Sequence, residues 1–238
     1  SKGNSDATTG DALVGAEGED GTWGGASVSF PRIEGADAVG TVIRVGDGVT
    51  HSLIGRRVII DGWLRDWNDP LNREKAGYFG SECDGGYAQY TKVSHQQVHP
   101  VDTTMSDAEL ATFACSYVTA ENMLNRAAVT DEDTVLITGA SGGVGSALIQ
   151  LANRRGAKCV ALCGAGKADA VKAVGPLAVI DRASANLGSA LHDAIGKDSV
   201  DVVADVVGGV LWPQLINALT RGGRYTCAGA IGGPIVEF

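Results

Sequence analysis

A chain of 238 residues with a formal net charge of −9 and a pI near 4.8 can bury one large core or two modest ones. Its acidic sign opposes nucleic acid and anionic membrane as main partners, because both repel a negative surface; a small phosphorylated ligand, which senses local fields, stays open. Five scattered cysteines without a C-x-x-C pair argue against a disulfide framework and for a reducing, cytoplasmic setting. No signal peptide is expected from the opening residues, and no apolar run approaches the roughly 18 residues of a membrane span.

The 34 glycines are about twice the usual share, and they fall between apolar runs, as turns do in an α/β chain. Up to about Asp102 the runs are short and β-rich: AVGTVIRVG, RRVIIDG and GYAQYTKVS. Turn formers flank them, the pattern of antiparallel strands. Ser106 and Glu109 then form a capping box that opens a helix over ELATFACSYVTAENMLNRAAV, ending near Thr130. From there strands and helices alternate. TVLIT, KCVALC, AVID, VDVVADV and RYTCAGA read as strands. The helices are VGSALIQLANRR, KADAVKAVG, NLGSALHDAI and LWPQLINALT. Val144, Ala147, Leu148 and Leu151 follow helical spacing, and Leu211, Leu215 and Leu219 repeat every four. Near-continuous Val/Ile runs suit strands covered on both faces of a parallel sheet. The alternation predicts a doubly wound α/β domain.

The first of these strands runs straight into Gly139-Ala140-Ser141-Gly142-Gly143-Val144-Gly145 and a helix. That is the setting of a dinucleotide fingerprint, A-x-G-x-x-G, with Ala140 in place of the first glycine. Gly142 lets backbone approach a diphosphate, Gly145 lets helix pack on strand, and free N–H groups at the helix start hold the anion, so Ser141, Gly142, Gly143, Val144 and Gly145 are the expected phosphate seat. About 20 residues on, an acid would bind the ribose 2′-hydroxyl of NAD. Here the chain reads Leu162-Cys163-Gly164-Ala165-Gly166-Lys167, without a carboxylate. Gly164 removes repulsion against a 2′-phosphate, and Lys167 and Arg182 can pair with one, which favours NADPH. Val206, Val207 and 228–230, with Ala228 and Gly229, follow strand ends, on the carboxyl edge where such sheets bind ligands.

The whole chain resembles the medium-chain dehydrogenase/reductase superfamily. The motifs are Gly35-x-Asp37-x-x-Gly40-x-Val42, Gly46, Gly55-Arg56-Arg57-Val58, Gly85-Gly86-Tyr87-Ala88-Gln89-Tyr90, the Thr119-Ala120 step and the A-x-G-G-V-G turn. The resemblance implies a GroES-like β-rich catalytic domain over 1–117 and a doubly wound Rossmann domain over 118–238. Relatives carry further strands before Ser1 and a last strand and helix after Phe238, so both domains are expected to be incomplete. It implies that Asn4 and Ser5 face the nicotinamide and donate to the substrate oxygen, that Thr119 touches the nicotinamide side, and that the protein pairs as a homodimer. Tyr87 and Tyr90 are read as core aromatics.

The superfamily divides into zinc alcohol dehydrogenases and zinc-free reductases, and a catalytic zinc wants three side-chain ligands. At the three matching positions stand Gly3, Ala36 and Cys115, and Cys83 is alone where a structural zinc needs four cysteines. His95 and His99 in extended backbone lie roughly 13 Å apart, too far to share an ion. No metal is therefore expected. The implied function is NADPH-dependent hydride transfer to a quinone or α,β-unsaturated carbonyl, a small-molecule acceptor that needs little Lewis-acid help. Two alternatives stand beside it: a zinc-type alcohol dehydrogenase with a degenerate metal site, and a nucleotide-binding protein without turnover.

Overall fold

The computed structural model describes residues 30–69, 72 and 76–233. The chain divides into two compact units, Ser1–Cys115 and Ser116–Phe238.

The first unit holds short antiparallel strands. β1 (Val39–Thr41) pairs with β2 (Arg57–Ile60), and β2 pairs with β5 (Val98–Pro100). β3 (Trp63–Leu64) and β4 (Gly77–Tyr78) make a separate two-stranded ribbon. Alternate β2 residues turn inward, so Val58 and Ile60 are buried, and Ile60 joins Ala38 and Phe79 in a small core. Glycines let the loops around that core cross: a Cβ on Gly85 would lie 2.6 Å from Gly80 Cα and 2.7 Å from Glu34 O. The stretch GYAQYTKVS forms no strand. Tyr87 and Tyr90 are 61% and 72% exposed, which corrects the reading of them as core aromatics. Tyr87 instead lays its ring where a Gly35 Cβ would stand. His95 opens a 3-10 turn (His95–Gln97) capped by Ser94, and His99 lies in β5, so that segment is only partly extended.

The long helix expected from Ser106 is two helices, α1 (Asp107–Ala111) and α2 (Phe113–Arg126). The capping box is present, with Ser106 accepting from the Glu109 N–H and Glu109 accepting from the Ser106 N–H. The break falls at Thr112, whose hydroxyl donates back to Glu109 O at 2.7 Å.

The second unit is one parallel sheet in the order β10-β9-β6-β7-β8. Its strands are β6 (Thr134–Ile137), β7 (Lys158–Cys163), β8 (Ala178–Asp181), β9 (Val200–Asp205) and β10 (Leu219–Cys227). Successive side chains alternate between two cores. Val135, Ile137, Cys159, Ala161, Val202 and Ala204 face one core, which contains Ala120, Met123 and Leu124 of α2 together with α3 (Gly143–Arg154) and Val171 of α4 (Ala168–Lys172). Leu136, Val160, Leu162 and Val203 face the other, against α5 (Leu187–Ile195) and α6 (Trp212–Asn217). Helices therefore cover both faces, which is why the strands read as unbroken apolar runs.

The leucine repeat overreached here. A 3-10 turn (Gly209–Leu211) precedes α6, the helix stops at Asn217, and Leu219 starts β10 opposite Val200. β10 is also longer than RYTCAGA, with a register shift between Leu219 and Arg224. Among the described residues no helix is long and apolar enough to cross a membrane.

Candidate nucleotide-binding site

The glycine turn joins β6 to α3 at the carboxyl edge of the sheet. Gly139 is left-handed, with φ +56°, and the Gly142 N–H donates to its carbonyl at 2.9 Å. Gly142 is the N-cap of α3 in extended backbone, without a side-chain cap. The next N–H groups have no carbonyl one turn back to bond, and the positive end of the helix dipole reinforces them. Ser141, Gly142 and Gly143 are exposed, Val144 is half-buried and Gly145 is buried. Buried Gly145 is the packing glycine: its Cβ would sit 2.7 Å from Ala140 Cα and 2.8 Å from Gly139 C, and against Gly139 O. A Cβ on Gly142 would meet only Gly139 O, at 3.3 Å. The turn thus exposes backbone at Ser141, Gly142 and Gly143 beside the start of α3, the kind of place where anions bind.

Gly164, Lys167 and Arg182 gather at the end of β7. The Arg182 N–H donates to Cys163 O at 2.8 Å, and Arg182 Nε would lie 3.7 Å from a Cβ on Gly164. Lys167 is exposed, and its N–H donates to Gly164 O at 2.9 Å. Both cations act electrostatically on the Cys163 thiol. Burial and the Asp181 carboxylate push that thiol up, while Lys167 and Arg182 pull it back. Asp181 is committed locally, since its Oδ1 accepts from the Ala183 N–H at 3.0 Å.

Val206, Ala228 and Gly229 meet at the ends of β9 and β10. The Ala228 N–H donates to Asp205 O at 3.0 Å, and Gly229, with φ +126°, leaves room for Val206 O. Gly139 also packs here, because a Cβ on it would meet Val206 Cγ2 at 2.6 Å. Thr119 is half-buried on α2, one turn beyond Ser116, whose Oγ would lie 2.6 Å from a Cβ on Gly143. Asn4 and Ser5, like Gly3, lie outside the described residues.

Sequence reasoning passed over the group that ties these strand ends together. Asp205 is 0% exposed. Its Oδ1 accepts from Thr138 Oγ1 at 2.5 Å, from the Val207 N–H at 2.9 Å and from the Gly208 N–H at 3.1 Å. Its Oδ2 accepts from Tyr225 Oη at 2.7 Å. Thr138 Oγ1 in turn accepts from the Val206 N–H at 3.0 Å. Burial first, and the bond to Asp205 second, push the Tyr225 phenol far up, which keeps it a donor. The available signal was a carboxylate ending an otherwise apolar strand, ADVV, where a buried charge must find donors.

In the first unit, Asp37, next to Ala36, accepts at its Oδ1 from the Cys115 N–H at 2.7 Å. Ala36 between Gly35 and Asp37 offers no donor atom, and among the described residues no group of three His, Cys, Asp or Glu could hold a metal. Among the described residues, Ala36 and Cys115 do not by themselves make the three-ligand set of a catalytic zinc.

A doubly wound sheet with a glycine turn at its switch point, in a chain that also holds a β-rich unit, defines the class as a Rossmann-type nucleotide-binding chain with a companion domain. Comparison with known proteins gives the family. Residues 9–103 match the alcohol dehydrogenase GroES-like domain, and residues 143–238 match the zinc-binding dehydrogenase family. An acryloyl-coenzyme A reductase of Metallosphaera sedula is 31% identical over 86% of this chain and 62% of its own length. The human quinone oxidoreductase is 24% identical over 85% of this chain and 56% of its own. A solved structure of an alcohol dehydrogenase homologue from Sinorhizobium meliloti 1021 superposes with a TM-score of 0.83 at 46% identity, covering 90% of this chain and 59% of that one. The chain belongs to the medium-chain dehydrogenase/reductase superfamily, alcohol dehydrogenase-like, with a GroES-like and a Rossmann-type domain, and that family binds a nicotinamide cofactor. It spans about three fifths of the length of these curated relatives.

Proposed function

We propose that the chain is the larger part of a cytoplasmic, homodimeric, NADPH-dependent oxidoreductase that works without zinc and reduces a quinone or an α,β-unsaturated carbonyl. Residues 1–117 serve as the catalytic domain and 118–238 as the nucleotide domain. The observation that carries the cofactor preference is the end of β7, where Gly164 leaves space beside the Arg182 guanidinium and Lys167 adds a second cation. A 2′-phosphate seats well against two cations, with the nearby Asp181 carboxylate engaged by the Ala183 N–H. The backbone of 141–145 holds the diphosphate. Val206, Ala228, Gly229 and Thr119 border the nicotinamide half, and Asn4 and Ser5 bind the substrate oxygen. Bound there, the nicotinamide supplies the hydride.

The substrate class rests on the absence of Lewis-acid ligands at Gly3 and Ala36. Without a metal to polarise a simple carbonyl, an acceptor that spreads negative charge along a conjugated system is the better match. The acryloyl-coenzyme A reductase and quinone oxidoreductase relatives support the same reading.

The test is NADPH oxidation with 9,10-phenanthrenequinone or an enal, followed by absorbance. Turnover is expected in the metal-free protein. The Lys167→Ala variant is expected to bind NADPH about 5- to 10-fold more weakly with NADH unchanged. Equal losses for both cofactors would overturn the 2′-phosphate seat. Stoichiometric zinc whose removal abolishes turnover would favour the zinc-type alcohol dehydrogenase. Tight cofactor binding with no turnover on any acceptor would favour the non-catalytic nucleotide-binding protein.

A further inference from the structure

The ends of three adjacent strands, β6, β9 and β10, converge on one buried carboxylate, Asp205. Every partner it has is a donor: the Thr138 hydroxyl, the Tyr225 phenol and the N–H groups of Val207 and Gly208. An acceptor-only carboxylate suits that set better than an amide, because an NH2 at Oδ1 faces the Val207 and Gly208 N–H groups and one at Oδ2 faces the Gly208 N–H and reverses the Tyr225 hydroxyl. Two of those donors are backbone groups of the turn that leaves β9. A third backbone N–H of the same turn, that of Val206, is held by the Thr138 hydroxyl. Gly139, the first residue of the phosphate turn, packs on Val206 and Val207, and Gly229 packs on Val206 O. The hub therefore fixes the 206–208 turn on which both neighbouring loops rest.

In a doubly wound sheet the two halves of a dinucleotide lie to either side of the switch point. Here β7 and β8, with Gly164, Lys167 and Arg182, lie on one side of β6, and β9 and β10 lie on the other. The hub belongs to the second side, away from the adenosine. We propose that Asp205 is a positioning residue that, through Thr138 and Tyr225, sets the 206–208 turn for the nicotinamide half of the cofactor. This assignment rests on the dinucleotide reading above. It adds that binding of the two cofactor halves is separable, with the nicotinamide half dependent on a group buried beneath the seat.

The experiment titrates NADPH and 2′,5′-ADP, and in parallel NADH and ADP, into the 238-residue wild type and into the Asp205→Asn, Thr138→Val and Thr138→Ser variants. For Asp205→Asn the affinity for the dinucleotide that the wild type binds is expected to fall about tenfold or more, while the matching adenosine fragment stays within about twofold. Thr138→Val is expected to show the same split more weakly, and Thr138→Ser, which keeps the hydroxyl, to restore it. Equal loss of dinucleotide and fragment, or no loss of either, would overturn the positioning role while leaving the cofactor reading intact. A split in Asp205→Asn without rescue by serine over valine would also count against it, because the hydroxyl would then not be part of the device. A wild type that binds neither dinucleotide nor fragment would remove the cofactor reading and this inference together. If Asp205→Asn does not fold, the Thr138 pair carries the same test.

Discussion

Gly142 and Gly145 stand in the same turn yet obey different limits. At Gly145 a methyl group would meet backbone, Ala140 Cα at 2.7 Å and Gly139 C at 2.8 Å. Backbone cannot step aside cheaply, so Gly145→Ala is expected to lower stability by about 2–3 kcal/mol, read by thermal or urea unfolding. At Gly142 the only near atom is Gly139 O at 3.3 Å. Gly142→Ala is therefore expected to unfold close to the wild type but to bind nicotinamide nucleotides at least about fivefold more weakly, since the methyl occupies the anion's approach. Comparable destabilisation in both variants would show that the two glycines share one role. This turn was legible in the sequence because each glycine answers a local demand. Asp205 was not, because its meaning depends on Thr138 and Tyr225 arriving from other strands. Lys167 and Arg182 fell between: their charge is visible in the sequence, but the space beside Gly164 is visible only in the fold.

Secondary-structure elements show the same division. β6, β7 and β9 were readable, since strands buried on both faces need apolar residues at nearly every position. In the first unit AVGTVIRVG and RRVIIDG do carry β1 and β2, but β3, β4 and β5 went unread, because two or three residues with one covered face leave little pattern; GYAQYTKVS has the composition of a strand yet forms none. Leu219 misled for a related reason, as leucine repeats serve a helix and a buried strand alike until Ala218 caps α6. One tie between elements is testable directly. Arg224 of β10 bonds Asp133, which is 8% exposed at side-chain level, and donates to the carbonyls of Ala127 and Ala128, at 2.8 Å and 2.9 Å, where α2 ends. Replacing Arg224 with Met leaves that carboxylate and both carbonyls short of a partner. A loss of about 2–3 kcal/mol in unfolding free energy is expected. A change under about 0.5 kcal/mol would mean that the Thr130 N–H and hydroxyl, which also bond Asp133, satisfy it alone.

Across the molecule, the five thiols report on the state of the whole chain. Cys159 is buried and its thiol is pushed up to about 12, whereas Cys115 and Cys227 are exposed. Native protein treated with iodoacetamide near neutral pH is expected to be modified at Cys115 and, more slowly, at Cys227, whose thiol burial also raises. Cys159 and Cys163 are expected to react only as the Rossmann-type domain unfolds, and mass spectrometry of the digest reads each site. Early modification of Cys159 would mean that β7 is reached by solvent in the native state. The strand order has a further consequence, in time rather than in space. β6 meets β7 across a single helix, but Thr138 and Asp205 are 67 residues apart, and the entropy of closing a loop grows with its length. As each chain folds, the phosphate turn can form early with its own strand and helix, whereas the carboxylate hub must wait for β9 and β10. If the proposed cofactor seat is right, its nicotinamide side is expected to be completed last, and a chain whose folding stalls at that stage is expected to keep the phosphate turn without the rest.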